Sequence, residues 1–465
     1  VSDDGRAQQP HVIVVGAGFG GLAAVQAFNR KPVRVTLIDR TNHHLFQPLL
    51  YQVATAGLNP AEIAAPIRSV VARQKNVTPL LGRVTKIDFA ARTIEINDGE
   101  KTLSYDYLIL AAGGRTSYFG HAEWERWAPG LKSLADARRI RERVLLAFER
   151  AEKAEDPALR QKLMTMVVVG GGPTGVEMAG ALAELASRTL VRDFRNIDPQ
   201  QARIILIEAT PRVLGTFPEE LSDYARKRLE KMGVTVQVNT KVLDLGDGWI
   251  KTDHERIDTF NVVWAAGVGG SELAPQLGVP TDRAGRIMVD ADLRISGQER
   301  VYCIGDAAHF EHPHTWGGKP LPGVSPVAIQ QGGWAVHNIL RQMAAQQTEP
   351  FNYHDLGSMA TIGRSAAIAV IGKIKMSGFI AWLAWLFVHL MKLVGHDNRM
   401  LVLIQWAWSY VMWKRGARLI TDVAQPASLA ASEPVPLEQH GPTSEPAKKE
   451  PETREPETKT GAPSS

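Results

Sequence analysis

One cysteine, Cys303, stands in a chain of 465 residues. That scarcity excludes internal disulfides and any metal site built on clustered thiolates, and no metal is expected. Charge of one sign is also lacking. A net charge of +4 suits anionic nucleotides or an anionic lipid surface and is too mild to argue for nucleic acid. The opening VSDDGRAQQP lacks the charged-then-apolar pattern of an export signal, so residues 1–10 are read as a flexible start and secretion is not expected. Long hydrophobic runs are missing too. Residues 376–391 and 400–413 come nearest, at about 24 and about 21 Å of helix with a rise of ~1.5 Å per residue, against a hydrocarbon core of ~30 Å. From residue 424 onward large apolar side chains all but vanish, and seven acids face four bases. Such a segment buries too little surface to offset its ordering entropy, so residues 424–465 are expected to be disordered.

What is present is globular. Hydrophobic residues make up 44% and charged residues 22%, enough for two or three domains with sizeable cores. The organising stretch is HVIVVGAGFGG at the start. Residues 12–15 read as a short buried strand running into Gly16-x-Gly18-x-x-Gly21. Gly16 permits the tight turn, Gly18 lets backbone approach a pyrophosphate, and Gly21 lets the following helix pack on the strand. The helix N-terminus then offers N–H groups to phosphate. A second strand over residues 33–38 ends in Asp39, 23 residues after Gly16, where a carboxylate can hold the ribose hydroxyls, with Arg40 beside it. Strand, glycines, helix, strand and terminal acid in this order indicate dinucleotide binding.

The theme recurs. MTMVVVGGGPTGVEMAGALAELA places a strand over residues 166–169 before Gly170-x-Gly172-x-x-Gly175, and a strand over residues 203–207 ends at Glu208. The interval from Gly170 to Glu208 is 38 residues, long for such a unit, and residues 188–201 account for the excess as extended helix and loop. YDYLILAAGG, carrying Ala112 and Gly113, is echoed by VVWAAG, carrying Ala266 and Gly267, so the repeat extends beyond the glycines. Between the two units, residues 77–99 read as a small meander of strands and residues 134–156 as an amphipathic helix. Paired His43 and His44 read as solvated loop residues.

VYCIGDAAH reads as a strand running into Gly305-Asp306, with small residues opening a helix. An acid at that junction suits the ribityl chain of a flavin, against the plain alternative of a helix cap. From Phe379 the composition changes. Five of the eleven tryptophans lie between Trp382 and Trp413, and Lys373, Lys375, Lys392, Arg399, Lys414, Arg415 and Arg418 flank the runs. Tryptophan with flanking cations is the chemistry of the membrane interface, so residues 376–423 are expected to lie on a membrane surface without crossing it.

With these features in hand, the chain resembles the type II, non-proton-pumping NADH:quinone oxidoreductases over about residues 11–418. HLFQPLLYQVATAGL, GGGPTGVEMAGAL, VYCIGDAA and PVAIQQGG carry the resemblance. It implies an α/β fold of two Rossmann-like dinucleotide-binding domains plus a C-terminal amphipathic helical anchor. The FAD domain would comprise residues 11–120 and 296–375, and the NADH domain residues 121–295. It further implies tightly bound FAD at Gly16, Gly18, Gly21, Asp39, Arg40, Ala112, Gly113, Gly305 and Asp306. NADH would lie at Gly170, Gly172, Gly175, Glu208, Ala266 and Gly267. Glu177 matches an acid close to nicotinamide and flavin, and Gln330 and Gln331 match glutamines near the flavin and quinone headgroup. Where relatives read Ala-Gln ahead of the glutamine pair, this chain has Ser325-Pro326, which removes one polar quinone contact. The implied partners are a membrane quinone (menaquinone or ubiquinone), an anionic lipid surface at the cytoplasmic face of the cell membrane, and a second copy in a homodimer.

The absent cysteines separate this reading from disulfide reductases and from sulfide:quinone oxidoreductases. A soluble ferredoxin reductase has no use for the tryptophan-rich C-terminus, and a flavin redox sensor needs no open nicotinamide site. Hydride transfer requires position and dryness rather than an acid–base triad, and no triad is visible. A quinone passage is expected between the C-terminal helices and Gln330, with Gln405 and Ser409 at i, i+4 on its edge.

Overall fold

The computed structural model describes residues 9–311, 316–393, 399–404, 406 and 417–420. Two parallel sheets organise it. In the first, Val77–Leu81, Arg34–Asp39, His11–Val15, Tyr107–Leu110 and Val301–Cys303 lie side by side in that order. All four pairings are parallel, with His11 opposite Arg34 and Val12 opposite Tyr107. Val12, Ile13 and Val14 are wholly buried, because helices and loops cover both faces of a parallel sheet; hence the unbroken apolar run in the sequence.

The second sheet repeats the plan. Val234–Gln237, Arg203–Ile207, Thr165–Val169 and Asn261–Trp264 are again all parallel, with Thr165 opposite Arg203. In each sheet the glycine-bearing strand is flanked by the acid-bearing strand on one side and the Ala-Ala-Gly strand on the other. Two chain crossings join the folds, and Arg115–Thr116 pairs antiparallel with Val268–Gly269 where they pass.

Three local outcomes differ from the sequence reading. Residues 77–99 do not form one meander. Val77–Leu81 enters the first parallel sheet, and the antiparallel meander is built from Val84–Asp88, Thr93–Ile96 and Lys101–Ser104. The amphipathic helix runs Leu134–Lys153, started by a capping box in which the Ser133 hydroxyl accepts from the Asp136 N–H. The long interval before Glu208 is spent on Pro173–Glu184, a π-helical turn Leu185–Thr189, and a loop to a 3-10 turn Pro199–Gln201.

After the Ser325–Met343 helix the chain forms a three-stranded antiparallel sheet, Ser358–Thr361, Ala367–Ile371 and Ile374–Ser377. Met376 therefore belongs to a strand, and the first apolar helix is Gly378–Lys392. That helix is two-faced. Ala381 and Trp385 pack into the core that contains the Pro173–Glu184 helix, while Phe379, Ile380, Leu383, Phe387 and Met391 are 44–69% exposed. In the second run Val402 is buried, whereas Met400, Leu401 and Ile404 face outward. Gln405, Ser409 and the tail from residue 424 lie outside the described residues. Among the described residues no helix is long and apolar enough to cross a membrane.

Candidate functional site

The two glycine loops have one geometry. Gly16 and Gly170 sit at φ +101° and +108°, and a Cβ at Gly16 would lie 2.2 Å from the Ala111 carbonyl oxygen. At Gly21 and Gly175 a Cβ would lie 1.8 Å from the carbonyl oxygen of Gly16 and of Gly170, so the helix can approach its strand only without a side chain. Gly18 and Gly172 are different. Nothing stands within 4 Å of a Cβ at either, and both have extended backbone at the N-cap of a helix with no capping side chain. Two helix N-termini therefore open onto free space, as a bound pyrophosphate requires.

The strand-end acids match as well. Asp39 accepts from the Ala17 N–H at 2.7 Å and from the Thr41 N–H at 2.7 Å. Glu208 accepts from the Gly171 N–H at 2.5 Å and from the Thr210 N–H at 2.7 Å. Each carboxylate thus lies against its own glycine loop, where ribose hydroxyls meet a dinucleotide's phosphates. Arg40 points outward to Glu272, 3.7 Å away. Ala112 and Gly113 follow Tyr107–Leu110, and Ala266 and Gly267 follow Asn261–Trp264 at the same edge of the other fold. A Cβ at Gly267 would lie 2.8 Å from the Phe119 ring.

Gly305 and Asp306 do not open a helix. Gly305–Ala307 is a 3-10 turn, Ala308–His309 pairs with Ile287–Met288, and the next α-helix starts at Ser325. The turn is held from that helix by Gln331, 1% exposed, whose amide oxygen accepts the Gly305 N–H at 2.7 Å. Asp306 meets Lys132 at 3.2 Å. Sequence reading missed Lys132, because nothing local to GLKSLADA connects it with an acid 174 positions away. A cavity of about 90 Å³ beside the turn is lined by Gly305, Asp306, Gln331, Arg286 and Gly323.

The histidines also depart from expectation. His44 is 2% exposed in the short strand His43–Leu45, and its Nδ1 donates to the Ala17 carbonyl at 2.8 Å. Burial lowers its pKa and keeps the ring neutral, so it braces the first glycine loop from behind.

Glu177, on the Pro173–Glu184 helix, is 9% exposed and accepts the Thr361 N–H at 3.3 Å. Burial pushes its carboxyl up to about 8, so it carries a proton at neutral pH. Tyr51 sits close by, with its hydroxyl 3.5 Å from Thr361 Oγ1, and burial together with the Glu177 charge raises its pKa. Tyr51 and Thr361 line a cavity of about 110 Å³ that reaches Trp385 and Trp406. Gln330 is not in it. Its amide donates to the His354 carbonyl at 2.8 Å and accepts the His354 N–H at 2.9 Å, which uses one N–H and one lone pair on a backbone strap. The quinone contact expected at Gln330 from the resemblance stays a proposal.

Two open glycine loops, each with a strand-end acid against it, and the Asp306 turn fit one flavin and one nicotinamide dinucleotide. Residues 10–332 match the pyridine nucleotide-disulphide oxidoreductase family model. A type II NADH:quinone oxidoreductase of Mycobacterium tuberculosis is 44% identical over 425 residues, covering 88% of this chain and 90% of that protein. The chain belongs to the type II NADH:quinone oxidoreductases. An internal alternative NAD(P)H-ubiquinone oxidoreductase of Arabidopsis thaliana mitochondria is 30% identical, covering 89% of this chain and 86% of its own. The type II enzyme of Plasmodium falciparum, solved with NADH, shares the fold at a TM-score of 0.81 and 20% identity, over 89% of this chain and 100% of its own. As a type II oxidoreductase without a dithiol, this chain keeps the shared fold of the disulphide reductases and lacks their relay; Cys303 is wholly buried in a strand, its thiol pushed up to about 12 by burial.

Proposed function

We propose that this chain oxidises NADH and reduces a membrane quinone, using FAD, at a membrane surface and without moving protons across it. The family membership carries the redox assignment. The observation that carries the acceptor assignment is the cavity joining Tyr51, Thr361 and the neighbourhood of Glu177 to the two-faced helix Gly378–Lys392. FAD, when bound, supplies the chemistry that the side chains lack, accepting a hydride from NADH and giving two electrons onward.

The residues do the rest. Gly18 and the Phe19–Ala27 N-terminus would receive the FAD pyrophosphate, Asp39 its adenosine ribose, and Asp306 its ribityl chain, with Gln331 holding the turn. Gly172 and the Pro173–Glu184 N-terminus would receive NADH, and Glu208 would accept from both ribose hydroxyls and repel a 2′-phosphate. Glu177 holds a proton in a dry place between the two folds, a proton that a quinone needs on becoming a quinol. The outward side of Gly378–Lys392 would lie among lipid headgroups at the cytoplasmic face, with Lys373 and Lys392 toward anionic lipid and Lys375 paired with Glu220 at 2.8 Å.

A homodimer is the expected assembly, and light scattering in detergent tests it. Steady-state NADH oxidation by vesicle-bound protein tests the function itself. Turnover that needs a quinone and leaves vesicle pH gradients unchanged supports it; turnover with ferredoxin-type acceptors alone rejects it.

A further inference from the structure

Glu177 and Glu184 lie seven residues apart on the Pro173–Glu184 helix. At 3.6 residues per turn they share one face, about 10 Å apart along the axis. Both reach the turn that follows Ser358–Thr361. Glu177 accepts the Thr361 N–H at 3.3 Å, and Glu184 accepts the Arg364 N–H. The inner acid is nearly enclosed, whereas the outer one is half-buried.

Tyr51 senses both acids. Burial, then the charges of Glu177 and Glu184, raise its pKa, so it stays a neutral hydroxyl. Its orientation is set from one side. Trp406 Nε1 donates to Gln52 Oε1 at 3.0 Å, and an indole can only donate, which fixes the amide. Gln52 Nε2 donates in turn to the Tyr51 oxygen at 3.0 Å. The Tyr51 proton is therefore turned away from Gln52, and Thr361 Oγ1 is 3.5 Å away.

Tyr51 and Glu184 line the same cavity of about 110 Å³, together with Thr55, Thr189, Thr361 and Arg364. A space of that size with hydroxyl partners holds several waters. Among the described residues Glu184 is its one carboxylate and Arg364 its one cation, and the Gly378–Lys392 helix presents only tryptophan and leucine to it. Glu177 does not line it. An ionised Glu177 would keep only the Thr361 N–H against its charge, and a buried carboxylate so thinly partnered is costly. A proton given up there must be replaced from water. Thr361 touches both sides, with its N–H on Glu177 and its side chain in the cavity wall beside Tyr51.

We propose that Glu184 takes protons from solvent and passes them to Glu177 through cavity water and the hydroxyls of Tyr51 and Thr361. Each hydroxyl accepts a proton on its oxygen as it releases its own, so no electron moves and neither hydroxyl keeps a charge. Glu184 loses the proton that Glu177 gains, and bulk water restores it. The inference rests on the reading of Glu177 as a proton source and names how that source is recharged.

The test uses full-length, flavin-loaded protein and infrared spectroscopy, with neither NADH nor quinone added. The carbonyl stretch of the protonated Glu177 carboxyl is the band that Glu177→Gln removes, and transfer into D2O shifts it as the proton exchanges. Glu184→Gln and Tyr51→Phe should each slow that exchange at least about tenfold, the lower range for a lost proton-transfer group, and Glu184→Asp should restore most of it. Exchange as fast in both variants as in the parent overturns the relay. Slowing in Tyr51→Phe alone, or slowing in Glu184→Gln that Glu184→Asp does not relieve, overturns the part given to Glu184. Parent protein with no band assignable to Glu177 overturns the proposal whatever the variants do. Relayed exchange in protein that NADH reduces but ubiquinone-1 does not reoxidise overturns the quinone reading and leaves the relay standing.

Discussion

Asp39 accepts the Ala17 N–H at 2.7 Å, tying the end of one strand to the glycine loop at the end of its neighbour. Glu208 and Gly171 repeat that bond in the second fold. One side chain thus fixes how far the strand-end carboxylate, proposed above to meet a ribose, lies from the glycine loop. That relationship makes the two nucleotide sites separately testable.

Gly18→Val should give folded, colourless protein. The Cβ enters open space and the backbone there is extended, so folding is spared while the pyrophosphate is displaced. Gly21→Ala should instead be unstable, since its Cβ would lie 1.8 Å from the Gly16 oxygen. Visible absorbance together with thermal melts separates the two effects. Full flavin content in Gly18→Val would remove the first cradle from the FAD site.

Glu208→Gln should erode the preference for NADH over NADPH. The carboxylate repels a 2′-phosphate, and Arg212 nearby in sequence is available to receive one. The ratio of kcat/KM for the two donors should fall by roughly tenfold, about the value of one charged hydrogen bond. An unchanged ratio would place Glu208 away from the ribose.

The buried acid predicts a sign. Glu177 titrates at about 8 in the folded chain against 4.5 when free. Between those values the unfolded chain has lost a proton that the folded chain keeps, so stability from this group falls as pH rises through the window. Below about 4.5 both states are protonated and the penalty vanishes. Glu177→Gln, neutral throughout, should flatten the decline in melting temperature between pH 5 and 8, and equal slopes in the two proteins would contradict the assignment.

On the outer side of Gly378–Lys392, Ile380 is 69% and Phe387 65% exposed. Ile380→Glu and Phe387→Glu should each weaken binding to anionic vesicles at least about tenfold, since each removes ~1.5–3 kcal/mol of apolar burial. Flavin reduction by NADH should be untouched. Cosedimentation with vesicles measures the first effect. Deleting the helix would be a poorer test, because Trp385 belongs to the core and its loss unsettles the fold.

The repeated glycine loops were legible in the sequence because Gly16, Gly21, Gly170 and Gly175 each meet a local constraint that only glycine satisfies. The acids Asp39 and Glu208 were legible as the ends of the strands that follow each glycine helix, even though the interval to Glu208 also holds a π-helical turn and a loop. What escaped was non-local. Val77–Leu81 is an edge strand with none of its residues fully buried, and so reads like part of a meander. Lys132 reaches Asp306 across the boundary between folds, and His44 looks like half of a solvated pair until the Ala17 carbonyl is found beside it. Gln330 and Gln331 are adjacent in sequence, yet about 100° apart around their helix, so one grips the Gly305 turn and the other a strap at His354.

The central claim is that electrons from NADH leave through the cavity under the C-terminal helix to a quinone. Anaerobic stopped-flow mixing tests it in two steps, NADH against oxidised protein and then ubiquinone-1 against the reduced protein. The account predicts rapid bleaching of the flavin band followed by quinone-dependent recovery. Bleaching without recovery on adding quinone would contradict it.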